Sequence, residues 1–334
     1  MFIFFHKHRT HNPPGPKGLP IIGNLHQLDI SNLYLQFSKI YGPLFSLQLG
    51  YRKAIVVSSA EIAKEVLKNN DLVFSNRPIL YGQQKLSYNG LDIAFSPYGE
   101  FWREMRKICA IRIFSSQRVS YYSSIRKFEV KKIIEKISRH ATSSSVTNLS
   151  ELLYSLSSTL ICRIAFGKSY ENDGNERSRF HEMLHECQAL FAEFFFSDYI
   201  PFTGWIDKLR GLHGRVDRIF KEFDEFSQEI IDEHLDPNRQ QIADDEEDIV
   251  DILLQLKKKH SFPFDFTFDH IKAIVLVNLP WHVYGSCVIG TYPLNSFNWK
   301  LPHGLVKEDI DTETLPGSTQ HKKNPLCLVA NIHI

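Results

Sequence analysis

Trp102 and Arg106 stand four residues apart in Ser96-Pro97-Tyr98-Gly99-Glu100-Phe101-Trp102-Arg103-Glu104-Met105-Arg106-Lys107, where a Pro/Gly turn opens a helix. Residues at i and i+4 share one helical face. An indole N–H beside a guanidinium makes a donor pair suited to a carboxylate or phosphate lying across the helix. The same spacing also suits a plainer arrangement, with Trp102 in the core and Arg106 solvated. The other candidate reactive groups are Cys109, Cys162, Cys187, Cys287 and Cys327. They are scattered without C-x-x-C spacing, so they form neither a zinc motif nor a disulfide framework, and they suit a reducing compartment. His6, His8 and His11 fall in a basic tail and read as solvated rather than metal-binding.

The elements that must position these groups are mainly helical. Of 334 residues, 43% are hydrophobic and 23% charged, an ordinary globular composition with room for one large domain or two small ones. A net charge of +1 gives no electrostatic footprint for nucleic acid. Met1-Phe2-Ile3-Phe4-Phe5 is apolar but meets His6-Lys7-His8-Arg9 at once, whereas spanning a bilayer takes roughly 20 apolar residues. Ser31 or Asn32 caps a helix that Gly42-Pro43 stops. Leu44–Leu49 and Ala54–Val57 read as a β-hairpin, and a helix follows from about Ala60 to Asn70. Leu80 to Phe95 has no clear period and reads as a loop.

Beyond Trp102 the pattern stays helical to about Lys259: Ser120 to His140, Leu149 to Phe166 closed by Gly167, an aromatic-rich Phe180 to Phe196, and Arg215 to Leu235. Phe191, Phe194, Phe195 and Phe196 could roof a lipophilic pocket or fill the core. Pro201–Ile206 reads as a loop. The acidic run Asp244–Asp248 reads as a solvated loop leading into the first turn of a helix that runs through Leu256, where negative charge suits the helix dipole.

Several of these pieces, taken together and in order, resemble the cytochrome P-450 family of haem-thiolate monooxygenases in its plant microsomal branch. They are Pro13-Pro14-Gly15-Pro16 with Leu19-Pro20-Ile21-Ile22-Gly23-Asn24; Tyr41-Gly42-Pro43-Leu44; Phe74-Ser75-Asn76-Arg77-Pro78; the Trp102 helix; and Leu301-Pro302-His303-Gly304 running to Lys323-Asn324-Pro325-Leu326. The resemblance implies a mainly α fold with a small β-sheet subdomain, incomplete here. It implies that Trp102 and Arg106 hold haem propionates, and that Leu86, Tyr88, Ile93, Phe95, Phe194 and Phe195 are substrate-cavity candidates; packing onto the core is the alternative for these six. It also implies an NADPH-dependent diflavin reductase docking near Arg103, Lys107 and Arg112, where a solvated face is the alternative. A small lipophilic plant metabolite as substrate, and weak attachment to the cytosolic face of the endoplasmic reticulum membrane, complete the picture.

The resemblance breaks after residue 277. Phe268 to Val277 is similar to the start of the long family helix that carries an acid-Thr pair for oxygen activation, but Asn278-Leu279-Pro280-Trp281 interrupts it. By Asn295-Ser296-Phe297-Asn298-Trp299 the chain is similar to the family's C-terminal region. Four segments result: an anchor stub over 1–12, the N-terminal and central part of the domain over 13–277, an atypical junction over 278–294, and a β-rich C-terminal part over 295–334. The Glu-x-x-Arg helix and the axial-cysteine loop of the family have no counterpart. Glu100 with Arg103 and Glu176 with Arg179 match that short motif in the wrong elements. Cys287 lies in Tyr284-Gly285-Ser286-Cys287-Val288-Ile289-Gly290, where none of the family's flanking positions matches. No catalytic residue is assigned. The chain is expected to be catalytically incompetent and marginally folded; the alternative is an active haem monooxygenase using a cysteine such as Cys287 as its iron ligand.

Overall fold

The computed structural model describes residues 2–5, 13–27, 33–168, 174–239, 247–278, 295–311, 313–315 and 321–332. All of the 278–294 junction beyond Asn278, with Pro280 and Cys287, lies outside them, as does most of the acidic run, Asp244 to Glu246. In chain order the elements are β1 (Phe2–Phe5), α1 (Leu33–Tyr41), β2 (Leu44–Leu49), β3 (Arg52–Val57), α2 (Ala60–Lys64), α3 (Asp71–Phe74), α4 (Tyr81–Leu86), α5 (Glu100–Arg112), α6 (Ser116–Tyr121) and α7 (Ser123–Thr142). They continue with β4 (Val146–Asn148), α8 (Leu149–Phe166), α9 (Gly174–Ala192), α10 (Phe196–Tyr199), α11 (Gly204–Leu209), α12 (Leu212–Leu235), α13 (Ile249–Lys258), α14 (Phe268–Ala273), β5 (Phe297–Lys300), β6 (Thr314–Leu315), β7 (His321–Lys322) and β8 (Cys327–Ile332). The chain divides into two compact units.

The first unit comprises Met1–Gln84 and Phe194–Val216. Its sheet has the order β1-β3-β2, all antiparallel, with Leu44 opposite Val57 and Leu49 opposite Arg52. Alternation along β2 turns Phe45, Leu47 and Leu49 inward with Ala54 and Val56 of β3, and Phe37 and Tyr41 of α1 close over them. The proline-rich hinge is tied to this sheet, because Ser46 donates from its backbone N–H to Pro14 and from its hydroxyl to Pro13. The helix expected from residue 60 forms as α2 and runs on as a wider π turn over Glu65–Asn69.

Two segments expected to be loops contain helix. Within Leu80–Phe95, α4 forms because the backbone N–H of Tyr81 finds a cap in the Asp198 carboxylate, 2.9 Å away and 117 residues along the chain. Local sequence carries no trace of that partner. Within Pro201–Ile206, α11 begins at Gly204, and its buried Asp207 accepts the backbone N–H groups of Phe196 and Ser197 at 2.9 Å each, holding the start of α10.

The second unit comprises Lys85–Glu193 and Asp217–Ile334. Its sheet, β4-β8-β5, joins strands from both sides of the junction: Asn148 pairs with Cys327, and Phe297 with Ile332. Phe297 and Ala330 pack with Ile137 of α7 and Leu152 of α8 in one apolar cluster. Helix α8 starts at an Asn148 cap that accepts the Glu151 N–H at 3.1 Å and ends at Gly167, which takes a left-handed φ of 66°. It is long and apolar enough to cross a membrane, yet 67% of that stretch is buried in the protein, as befits a core helix. Helix α13 starts at a capping box in which Asp248 and Asp251 each accept the other's backbone N–H.

Candidate cofactor and substrate site

Helix α5 carries the pair of greatest chemical interest. Glu100 in its first turn and Arg112 in its last complement the helix dipole. Met105 and Cys109 are buried, and Trp102 and Arg106 lie one turn apart on the adjoining flank of the helix, Trp102 half-buried and Arg106 exposed. The Arg106 guanidinium lies 5.1 Å from the centroid of the Trp102 ring. Such a contact contributes about 0.5–1 kcal/mol at an exposed site. The indole N–H donates to the backbone carbonyl of Ile93 at 2.8 Å. The sequence places both donors on one face, and the structure does so too, but the indole is engaged by the preceding loop while the guanidinium makes no ion pair among the described residues. Arg103, also exposed, lies 6.0 Å from the Tyr98 ring, and Lys107 pairs with Glu104 at 3.5 Å.

The six candidate cavity residues divide between the two units. In the second unit Leu86 is fully buried and Tyr88 buried, so both are packed inside the protein, whereas Ile93 and Phe95 are half-buried. The Phe95 ring lies 4.9 Å from that of Phe191. Asp92 holds the loop's turn by accepting the N–H groups of Phe95 and Ser96 at 2.9 and 3.2 Å. In the first unit Phe195 is buried, 5.3 Å from the Tyr81 ring, and Phe194 is half-buried, stacked on Tyr199 at 4.8 Å.

The buried cysteines are poor candidates for a thiolate ligand. Cys109, Cys162 and Cys187 are buried, and Cys327 is half-buried on β8. Burial pushes the Cys109 thiol up to about 12, and pushes that of Cys187 up as well, so both are held protonated. Arg106 thus fits the carboxylate edge of a haem, whereas the buried Cys109 and Cys187 thiols do not fit its iron. His234, Asp248 and Asp251 bring their donor atoms within 4.8 Å of one another. There the positive charge is already supplied by Arg239, which donates to Asp251 at 2.5 Å and to Asp248 at 3.3 Å.

A cluster that sequence reasoning missed lies in the second unit, where Asp224 of α12 accepts from both Tyr88 and Lys272. Its signal was Lys272 itself. A lysine inside Ile271-Lys272-Ala273-Ile274-Val275 must either reach solvent or find an acid.

Comparison with known proteins matches residues 13–279 to a model of the cytochrome P-450 family. A 6,7,8-trihydroxycoumarin synthase of Pastinaca sativa is 45% identical over 282 residues, which are 82% of this chain and 55% of that protein. A strychnine-11-hydroxylase of Strychnos nux-vomica is 42% identical over 271 residues, 80% of this chain and 52% of that protein. The chain thus spans about half the length of the curated relatives it matches. Among solved structures, a zebra fish cytochrome P-450 determined with progesterone aligns with a TM-score of 0.57 at 22% identity, covering 77% of this chain and 55% of that one, a likeness of fold.

Proposed function

The chain belongs to the cytochrome P-450 family, and from that premise we propose that it is the substrate-side and propionate-side portion of a haem monooxygenase acting on small lipophilic plant metabolites. The coumarin and alkaloid chemistry in the names of its relatives supports that substrate class. Haem, when bound by a complete site of this kind, supplies the oxygen-activating iron. What this chain contributes is recognition. Arg106 holds a propionate as a solvent-facing cation, Trp102 backs the guanidinium, and the half-buried Ile93 and Phe95 present apolar surface to a ligand.

In this reading the chain by itself is catalytically incompetent. The observation that carries it is the contrast on α5: Arg106 is exposed and without an ion pair among the described residues, while Cys109 one turn on is a buried, protonated thiol. The reading extends to partners and location. Arg103, Lys107 and Arg112 line a basic face for an NADPH-dependent diflavin reductase. Phe202, Trp205 and Leu209 expose apolar side chains around α11, with Phe202 and Leu209 each 79% exposed, and this surface supports weak association with the endoplasmic reticulum membrane.

The test is reconstitution of the purified chain with haem, then reduction under carbon monoxide while the Soret band is recorded. Weak uptake without a thiolate-type red shift is expected. A stoichiometric haem complex with the red-shifted band would show that a cysteine, Cys287 included, ligates the iron, and would overturn the proposal.

A further inference from the structure

Tyr88, Asn89 and Gly90 form a run of three left-handed residues, with φ of 53°, 62° and 80°. Glycine takes such angles freely, but an aromatic residue does so only where its surroundings hold it there. Three contacts do so here. The Tyr88 hydroxyl donates to Asp224 Oδ1 at 2.8 Å, the Tyr88 ring lies 4.9 Å from that of Phe220, and the Gly90 N–H donates to the Ser87 hydroxyl at 2.9 Å.

The acceptor is itself fixed. Lys272 Nζ donates to the same Asp224 oxygen at 2.7 Å, and the Lys272 side chain is only 6% exposed. An ammonium so far from water needs a counter-charge, and Asp224 is its ion-pair partner among the described residues. Burial, then the hydrogen bond to Asp224, pushes the Tyr88 phenol far above its usual range, so it stays a neutral donor. Five residues along, the Ile93 carbonyl accepts the Trp102 indole N–H. The 87–96 loop is therefore pinned to α12 and α14 through Tyr88 and to α5 through Ile93.

We propose that Tyr88, Asp224 and Lys272 form a latch that sets the position of the 87–96 loop, with Tyr88 a positioning residue rather than a substrate contact. Ile93 and Phe95 are left as the loop's ligand-facing pair. This rests on the reading above in so far as the loop lines the substrate site. The division of labour follows from burial: Leu86 and Tyr88 are sealed inside the unit, while Ile93 and Phe95 are half-buried.

Hydrogen exchange of the full chain, followed by mass spectrometry, tests the latch. Tyr88→Phe removes the hydroxyl and keeps the ring. Exchange across 87–96 is expected to rise about tenfold, the loss of one hydrogen bond, while exchange across 149–166 stays unchanged. Lys272→Met is expected to loosen the same loop, and Lys272→Arg, which keeps a cationic donor, to restore exchange to within about twofold of the parent. Unchanged exchange in Tyr88→Phe, an equal rise across 149–166, or an arginine variant as loose as the methionine one would each overturn the latch. Haem uptake does not enter this measurement, so failure of the monooxygenase reading and failure of the latch are separately visible.

Discussion

The Trp102 indole N–H donates to the Ile93 carbonyl at 2.8 Å, so the loop before α5 is fastened to the helix by the residue that the family resemblance assigns to haem. Trp102 and Arg106 are neighbours with separable roles, one tying backbone and the other carrying exposed charge. Trp102→Phe keeps most of the apolar contact and deletes the donor, and is expected to lower stability by about 1 kcal/mol in urea unfolding. Arg106→Ala is expected to cost about 0.5 kcal/mol, the low end of what its contact with the Trp102 ring contributes, while lowering haem uptake about tenfold, the scale of one charge-assisted hydrogen bond to a carboxylate. Equal stability losses in the two variants would mean that Arg106 serves packing rather than ligand.

Asp248 gathers three helix ends. It caps α13, accepts from His234 Nε2 at 2.8 Å, accepts from Arg239 at 3.3 Å, and stands where a Cβ on Gly167, at the end of α8, would come within 2.8 Å of its Oδ2. Gly167→Ala must therefore both hold a left-handed φ and press on that carboxylate, at a cost of about 1–2 kcal/mol. Asp248→Asn keeps a cap but strips the charge from a buried pair, and about 3 kcal/mol of destabilisation is expected. Chemical denaturation of the two variants checks both values. A neutral Asp248→Asn would show that the network is electrostatically idle.

What could be read from the sequence was what local chemistry determines. The Leu44–Val57 hairpin follows from alternation about a Gly50 turn and the end of α8 from Gly167, whereas Glu247 and Asp248, read as the end of a solvated acidic run, are buried where α13 begins. What escaped depended on partners far along the chain. Helix α4 needs Asp198 to cap Tyr81, the Trp102 indole donates to the Ile93 carbonyl nine residues back, and Lys272 is matched by an acid 48 residues upstream. Burial separated Tyr88 from Phe95 within one loop, a distinction that composition alone does not carry, since both are aromatic.

Marginal folding, expected from the break in the sequence resemblance after residue 277, can be read at the thiols. Cys109, Cys162 and Cys187 are buried in the second unit, whereas Cys327 is half-buried on β8. Alkylation with iodoacetamide under native conditions, mapped by peptide mass spectrometry, should modify Cys327 at least about tenfold faster than the other three, because a buried thiol reacts only on opening of the structure. Uniform labelling at the rate seen in denaturant would mean that the core of the second unit does not close.

Asp198 makes the first unit sensitive to pH. Burial raises its carboxyl from the ordinary range to about 6, and the Tyr81 N–H and the Arg52 charge offset this only in part. Between the usual carboxylate value near 4 and about 6, the folded state then binds more protons at this site than the unfolded state. Its contribution to stability is therefore fully present below about 4 and is lost as pH rises through about 6. Asp198→Asn never ionises and still offers an amide oxygen to Tyr81. The stability of that variant relative to the parent should be lowest at pH 4, rise through pH 5 and 6, and level off above about pH 7, while carboxylates common to both proteins cancel in the difference. Urea unfolding of the pair at each pH measures this directly. A difference that does not change with pH would place the Asp198 carboxyl at its ordinary value and remove it as the source of any acid preference in the first unit.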